Sequence, residues 1–163
     1  MINGIVAVDN NQGIGLNNSM PWPHLHYDML WFKNMTDGQY VLMGRNTWES
    51  LGKRNLPNRK NIIVSARIDF NMDIWMPNVE QALEYYKIYG NKKELYIIGG
   101  AMIYDHIKDH IDRWYVTEIH RSYNCDRFLD LGYIKDRFPN KIEIASFQSP
   151  VEYTIYEYNN EPS

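Results

Sequence analysis

One carboxylate stands within a stretch of apolar residues. Asp28 lies in residues 25–33, and on a helix it would share one face with Leu25 and Phe32 through the i, i+3, i+7 spacing. Burying a charge is costly unless a partner or a proton compensates it. Two explanations are therefore open: Asp28 caps the helix or bonds a nearby backbone group, or it receives a ligand.

Glycine turns interrupt the chain near this carboxylate and at two later points. Residues 13–23 contain two glycines and two prolines, and Gly44 and Gly99-Gly100 each separate a strand-like run from a helix-like run. Glycine lets the backbone approach a flat ligand closely. A turn that opens a helix exposes free N–H groups, and Arg45 adds a positive charge beside one of them. These patterns predict an anion-binding site in addition to Asp28.

Taken together, these motifs resemble the dihydrofolate reductase family. They occur in the family's order and at close to its spacing from residue 1 to about residue 120, and this many colinear matches are specific. The matches are Ile5-Val6-Ala7-Val8-Asp9, Gly13-Ile14-Gly15, Met20-Pro21-Trp22, residues 28–33, residues 43–50, Leu56-Pro57, residues 59–65, Ile98-Gly99-Gly100 with Tyr104, and Tyr115-Val116-Thr117. The similarity is looser over residues 126–163.

The resemblance implies an activity: hydride transfer from NADPH to 7,8-dihydrofolate, which gives 5,6,7,8-tetrahydrofolate for one-carbon metabolism and thymidylate and purine synthesis. It implies three catalytic residues. Asp28 would pair with the exocyclic amine and ring N–H of the pterin, Thr117 would hydrogen-bond this carboxylate, and Trp22 would contact the ligand and an ordered water. The proton is expected to reach the pterin through water. Antifolates are the implied inhibitors.

The same resemblance implies the remaining site residues. Arg59 would bind the α-carboxylate of the glutamate tail, and residues 13–22 would close over the nicotinamide. No metal is expected. The implied substrate-binding residues are Ile5, Val6, Ala7, Asp28, Met29, Phe32, Leu51, Leu56, Arg59, Ile98, Tyr104 and Thr117. The implied cofactor-binding residues are Ala7, Ile14, Gly15, Leu16, Asn17, Asn18, Ser19, Met20, Gly44, Arg45, Asn46, Thr47, Val64, Ser65, Ala66, Arg67, Ile98, Gly99, Gly100, Ala101, Met102 and Ile103.

The chain also departs from the family's pattern. Where many relatives carry two consecutive serines near the adenosine phosphate, this chain has Ser65-Ala66-Arg67. Arg67 is expected to replace the lost hydroxyl and to bind the 2′-phosphate together with Arg45. A Gly-Asp-Thr-x-Phe element of the family is replaced by residues 125–128, Cys-Asp-Arg-Phe. This replacement puts the coupling of that segment to residues 13–22 in question.

The elements that must position these residues follow an α/β pattern. Strand-like runs occur at residues 2–8, 41–43, 61–65, 74–75, 94–98, 114–120, 141–147 and 151–158, with helical patterns between several of them. Such alternation predicts a largely parallel sheet, and the last two runs predict an antiparallel edge hairpin. With the resemblance, we expect one dihydrofolate-reductase-like domain over residues 1–163. It has a mostly parallel eight-stranded sheet and about four flanking helices, with ligands beyond the carboxyl ends of the strands.

Composition limits the classes of partner. A net charge of −3 argues against a nucleic-acid-binding surface. A single cysteine, Cys125, allows no intrachain disulfide and fits a reducing compartment. No run of 18 apolar residues and no leader-like N-terminal segment occur. We therefore expect a cytoplasmic monomer that acts on small molecules, without nucleic-acid or membrane partners.

Three alternatives remain open at this point. His106 and His110 have a helical spacing that suits a metal, although a solvated helix face explains them as well. A related NADPH-dependent pyrimidine reductase of riboflavin synthesis shares the fold, but Asp28 and Met20-Pro21-Trp22 match the pterin site and argue against it. The third alternative is a noncatalytic scaffold that retains the fold.

Overall fold

A computed structural model describes residues 1–161. Its strands are β1 (Ile2–Val8), β2 (Gly13–Gly15), β3 (Tyr40–Gly44), β4 (Lys60–Val64), β5 (Ile74–Met76), β6 (Leu95–Gly99), β7 (Arg113–Ile119), β8 (Arg127–Phe128), β9 (Asn140–Phe147) and β10 (Tyr153–Asn159). Its helices are α1 (His26–Thr36), α2 (Arg45–Ser50), α3 (Val79–Tyr89), α4 (Ala101–Ile107) and α5 (Leu131–Arg137), and a 3-10 turn, Lys108–His110, follows α4. Residues 162 and 163 of the expected domain lie outside the described residues.

Eight of the strands form one sheet in the order β5-β4-β3-β6-β1-β7-β10-β9. The pairs from β5 to β7 are parallel, whereas β10 is antiparallel to both β7 and β9. The expected mostly parallel eight-stranded sheet with an antiparallel C-terminal hairpin is therefore confirmed. Strands such as β3, in which every residue is buried, read as continuous apolar runs because helices cover both faces of a parallel sheet.

Three short elements were not predicted. β2 and β8 contain three and two residues and, among the described strands, pair only with each other. Such short strands hold too little chain for a periodic pattern. Helix α5 makes the number of α-helices five within the described residues rather than about four. Asp130 caps it by accepting a hydrogen bond from the Tyr133 N–H, and Leu131 and Ile134 anchor it in the core.

The sheet separates the two larger of three apolar clusters. On one side, α3 and α4 contribute Leu83 and Ile107, which pack in the same cluster as Trp114 of β7. On the other side, Trp48 of α2 is buried, and Phe32 of α1 packs against that cluster. Helices α1 and α2 therefore lie on the same face of the sheet. Residues of both helices line the space beyond the carboxyl ends of the parallel strands.

Gly4 in β1 provides a test of this packing. A Cβ atom at Gly4 would overlap with the indole ring of Trp114, which is 1% exposed. We expect Gly4→Ala to lower the free energy of unfolding by about 1–3 kcal/mol or more, because overpacking forces buried groups to shift. Urea denaturation measures this change.

Gly132→Ala is the matched control. Gly132 is exposed in α5, and the nearest atom to a Cβ there is Asp130 Oδ1 at 3.4 Å. Alanine should stabilise the helix by up to about 1 kcal/mol at this position. Equal losses of stability in both variants would contradict the proposed packing at Gly4.

Candidate active site

A cleft of about 1040 Å³ opens beyond the carboxyl ends of the parallel strands. Its walls come from α1, from the ends of β1, β4 and β7, and from the glycine turns that lead into α2 and α4. A cavity of this size lies at the upper end of the range for single small ligands. Every predicted site residue lines this cleft except Leu16, Asn17, Trp22 and Arg59.

These four residues lie outside the lining of the cleft. Trp22 is 7% exposed and packs with Leu25 in a separate small core. Leu16 and Asn17 belong to the loop of residues 13–22, where the Leu16 N–H donates to the Ser19 carbonyl. Arg59 donates from Nε to the Pro57 carbonyl at 2.8 Å and from Nη1 to Thr36 Oγ1 at 3.0 Å. Within the described residues, no hydrogen-bond partner is recorded for its Nη2.

Asp28 marks the apolar end of the cleft. Thr117 Oγ1, 3% exposed in β7, donates a hydrogen bond to Asp28 Oδ1 at 2.6 Å. Burial raises the pKa of the Asp28 carboxyl above its ordinary value, and the hydrogen bond from Thr117 partly opposes that rise. Asp28 Oδ2 has no protein hydrogen-bond partner in residues 1–161. Helix α1 has no side-chain cap, which excludes the capping explanation and leaves one carboxylate oxygen for a ligand.

The surroundings of Asp28 differ from the expected core-facing helix. Only Thr36 is buried in α1, and Met29 is 42% exposed. The predicted apolar face of α1 is present, but Met29 and Phe32 on it line an open cleft. An apolar stripe therefore does not distinguish a core from a ligand pocket, because both exclude water once filled.

The opposite end of the cleft presents backbone and cationic groups. Gly44 and Gly99 end the neighbouring strands β3 and β6. A Cβ at Gly44 would lie 2.8 Å from Ile103 Cγ1, so glycine permits the close approach of β3 to α4. Gly99 has a φ of +119°, which side chains disfavour. Both glycines line the cleft directly before α2 and α4, and the first N–H groups of a helix have no partner within the helix.

Two arginines lie near Ser65 at this end. Arg45 Nη1 donates to Ser65 Oγ at 3.2 Å, and Arg45 Nη2 donates to Asp69 Oδ2 at 2.7 Å. The main-chain N–H of Arg67 also donates to Ser65 Oγ at 3.3 Å, while the Arg67 side chain is exposed and lines the cleft. Guanidinium groups, hydroxyls and free N–H groups together suit a phosphate.

Eight cleft residues were missed by sequence reasoning. They are Trp31, Ser50, Pro77, Asn78, Val79, Glu80, His106 and Arg127. The sequence held a signal for residues 77–80, because they directly follow the strand-like run that becomes β5. In the structure, the Ser65 N–H donates to the Met76 carbonyl beside them. Arg127 gave no such signal, since β8 is only two residues long.

The segment around Asp126 is coupled to the loop of residues 13–22. β8 pairs with β2, the Asp126 N–H donates to the Gly15 carbonyl at 2.9 Å, and Asn17 N–H donates to Asp126 Oδ2 at 3.1 Å. The departure at residues 125–128 therefore retains the aspartate and this link between the two loops.

The aspartates beside His106 and His110 have other partners than a metal. Asp105 lies 3.1 Å from Lys108 Nζ, and Asp109 accepts a hydrogen bond from Tyr133 Oη at 2.6 Å. Over residues 1–161, no group of three or more His, Cys, Asp or Glu side chains is placed to hold a metal ion. None of the helices in the same range is long and apolar enough to cross a membrane.

The cleft thus belongs to an α/β protein with two ligand sites side by side. A flat ring with N–H groups fits against Asp28, and a phosphate-bearing ligand fits the glycine turns and arginines.

Comparisons with known proteins identify the family to which this chain belongs. The family model described as dihydrofolate reductase matches residues 1–158. Dihydrofolate reductase of Bacillus subtilis is 40% identical over 129 residues, which cover 78% of this chain and 74% of that one. Dihydrofolate reductase of Staphylococcus haemolyticus is 32% identical over 157 residues, which cover 94% and 92% of the two chains. The chain belongs to the dihydrofolate reductase family.

A solved structure agrees with this assignment. Dihydrofolate reductase from Enterococcus faecalis, complexed with NADP(H) and RAB-propyl, superimposes with a TM-score of 0.81 at 26% identity. The superposition covers 98% of this chain and 95% of that chain. The likeness therefore extends over both ends of the cleft and the antiparallel hairpin.

The contact between Thr117 and Asp28 can be tested by titration. Because the Thr117 hydroxyl lowers the Asp28 pKa, Thr117→Val should raise that pKa further above its ordinary value. Carbon-13 NMR of labelled aspartate carboxyls measures it. Thr154→Val is the control, since Thr154 is a buried strand threonine that contacts His120 and Ser146 instead. An Asp28 pKa that is unchanged or lowered in Thr117→Val would contradict the assigned contact.

Proposed function

We propose that this protein is an NADPH-dependent dihydrofolate reductase that converts 7,8-dihydrofolate to 5,6,7,8-tetrahydrofolate. The observation that carries the proposal is the Asp28 carboxylate, held by Thr117 at the apolar end of a cleft whose other end suits phosphates. The family match and the relatives named dihydrofolate reductase favour this activity over the pyrimidine reductase alternative. The complete cleft argues against a scaffold without activity.

The cofactor end fits NADPH through its donor set. The cleft wall carries several kinds of donor. They are the backbone of the turns at Gly44 and Gly99, the hydroxyls of Thr47 and Ser65, and the guanidinium groups of Arg45 and Arg67. These donors match the phosphates of a dinucleotide. When bound, NADPH supplies the hydride, and the protein supplies orientation and electrostatics.

Asp28 orients and polarises the pterin. Oδ2, which has no recorded hydrogen-bond partner within residues 1–161, can accept from the exocyclic amine, and Oδ1 retains a second lone pair for the ring N–H beside the bond from Thr117. This bidentate pairing fixes the ring in one register and draws charge toward the carboxylate. Water delivers the proton, because the paired edge of the ring faces away from the nitrogen that accepts it.

The apolar residues keep the reacting ring dry and placed. Ile5, Phe32 and Ile98 line the cleft near Asp28. Tyr104 Oη donates to the Ile5 carbonyl at 2.7 Å, and burial raises the Tyr104 pKa, so this phenol stays protonated as a fixed donor. Tyr104 therefore acts as a positioning residue for β1. A dry site strengthens the hydrogen bonds that Asp28 makes.

The loop of residues 13–22 acts as the cover of the nicotinamide end. Asn18, Ser19 and Met20 line the cleft, and the Asp126 contacts hold the base of the loop. Trp22, buried beside Leu25, anchors the far end of the loop next to α1. A loop fixed at both ends and exposed between them can open and close over a ligand.

The whole chain is proposed to act as one domain and as a monomer on small molecules. The single eight-stranded sheet supports one folding unit, and the net charge of −3 argues against a nucleic-acid partner. The lone Cys125 supports a cytoplasmic location. Light scattering of the purified protein with and without NADPH tests the monomer.

Asp28→Asn tests the proposed activity. Loss of nicotinamide absorbance is followed with NADPH alone and with NADPH and dihydrofolate. The parent should oxidise NADPH only with dihydrofolate, and Asp28→Asn should be slower by about 10²-fold or more at neutral pH because the charged acceptor is lost. A near-parent rate in Asp28→Asn would contradict the role of Asp28, and a parent that prefers a ribosylated pyrimidine would contradict the assigned substrate.

A stability measurement on the same variant shows whether it folds. Because the folded-state pKa of Asp28 is raised above its ordinary value of 3.8, the folded protein binds that proton more tightly than the unfolded chain does. Protonation of Asp28 therefore adds to the free energy of unfolding. This contribution is fully present below pH 3.8 and is lost as the pH rises through the folded-state pKa. Asp28→Asn should therefore unfold at higher urea concentration than the parent at neutral pH, and the difference should vanish at low pH.

Arg59→Ala tests the proposed contact with the glutamate tail. Since the tail is remote from the reacting carbon, the variant should raise the KM for dihydrofolate, with little change in kcat; a lost charge-assisted pair costs about 1.5–3 kcal/mol. A pterin without the tail is the control, and its KM should not change. Equal effects on both substrates would show that Arg59 supports α1 through Thr36 and does not bind the tail.

A further inference from the structure

Arg45 already faces protein acceptors at all three of its nitrogens. Nη2 donates to Asp69 Oδ2 at 2.7 Å, Nη1 donates to Ser65 Oγ at 3.2 Å, and Nε lies 3.9 Å from Glu49 Oε1. The Arg45 side chain is 19% exposed, so its direction is largely fixed. The cation that a phosphate would seek at this end of the cleft is therefore paired with carboxylates of the protein itself.

Asp69 is placed for this pairing by the loop between β4 and β5. Its neighbours Ile68 and Phe70 are both exposed, whereas the Asp69 side chain turns inward to Arg45. The hydrogen bond from Arg45 lowers the pKa of the Asp69 carboxyl below its ordinary value. Asp69 therefore carries a full negative charge at neutral pH, in direct contact with the more buried arginine.

Arg67 has the opposite situation. Its side chain is exposed and lines the cleft, and in residues 1–161 its guanidinium has no recorded ion pair or hydrogen bond. Glu80, which also lines the cleft, adds a further negative charge to this end. The available cation is thus Arg67, and the occupied cation is Arg45.

We infer that Asp69 competes with the 2′-phosphate of NADPH for Arg45, and that Arg67 makes the first contact with this phosphate. The inference rests on the proposed function. A phosphate with nearly two negative charges must displace Asp69 or share Arg45 with it, and the nearby carboxylate repels the phosphate in either case. Asp69 is thus a specificity-determining residue: it lowers the preference for NADPH over NADH below the value that two arginines alone would give.

Asp69→Asn tests the competition by equilibrium binding. Quenching of tryptophan fluorescence gives the Kd of NADPH and of NADH without any turnover. Asparagine retains an oxygen for Arg45 but removes the charge, so NADPH should bind about three- to tenfold more tightly and NADH should be unaffected. Asp136→Asn is the matched control: it makes the same charge change at an exposed position of α5 that does not line the cleft.

Two further variants separate the parts of the inference. In an Arg45→Gln background, the gain from Asp69→Asn should shrink to the part that direct repulsion between Asp69 and the phosphate contributes; a gain of the full size would overturn the competition, because Asp69 would then act on the phosphate without Arg45. Arg67→Ala should weaken NADPH binding about three- to tenfold and leave NADH unchanged. Unchanged NADPH binding in Arg67→Ala would overturn the role of Arg67.

The outcomes also distinguish this inference from the proposed function. If the parent binds and oxidises NADPH with dihydrofolate but Asp69→Asn binds NADPH equally or more weakly, the inference alone fails, and weaker binding would show that Asp69 positions Arg45 for the phosphate. If the parent binds neither cofactor, the proposed function fails and the inference fails with it.

Discussion

The hydrogen bond from Thr117 Oγ1 to Asp28 Oδ1 joins α1 to the central part of the sheet. Helix α1 also packs Trp31, Phe32 and Met35 against the apolar core, but only Thr36 is fully buried in it and its N-terminus lacks a side-chain cap. A charged acceptor makes this bond stronger than a bond between neutral groups. The bond therefore fixes the orientation of the carboxylate and, with it, one wall of the cleft. Together with the apolar contacts of Trp31 and Phe32, it gives this wall a defined position against a ligand.

The two ends of the cleft use burial and charge in opposite ways. Among residues 1–161, Asp28 forms no ion pair, and burial raises its pKa, so its carboxylate is available to the N–H groups that a ligand brings. Arg45, in contrast, is surrounded by acceptors of the protein. A group without a counter-charge gains strongly from a neutral, hydrogen-bonding ligand, whereas a paired group discriminates between ligands of different charge. The arrangement at Asp28 favours a fixed orientation of the bound ring, and the arrangement at Arg45 favours selection between ligands of different charge.

The sequence predicted long elements well and short elements poorly, for physical reasons. Strands such as β1 and β7 are buried on both faces, and their apolar runs are visible without tertiary information. β2, β8 and α5 are stabilised mainly by contacts distant in sequence, such as that between Gly15 and Asp126. No local pattern records those contacts.

The positions of site side chains could likewise be predicted at the ends of strands but not in loops. The resemblance placed most residues in the cleft, because the ends of strands are fixed by the sheet. It did not reveal that Trp22 packs away from the cleft or that Arg45 pairs with Asp69, 24 positions further along the chain. Both facts depend on how a loop folds back, and loop conformation is not encoded by periodicity.

The position of β10 has a consequence for the order of assembly. β10 follows β9 in the chain but lies between β9 and β7, and its Ile155 pairs with Thr117. During synthesis, β7 therefore waits for nearly forty further residues before it gains its second neighbour. Until then β7, which carries Thr117, is paired on one side only, with β1. The antiparallel hairpin therefore completes the part of the sheet on which Thr117 lies.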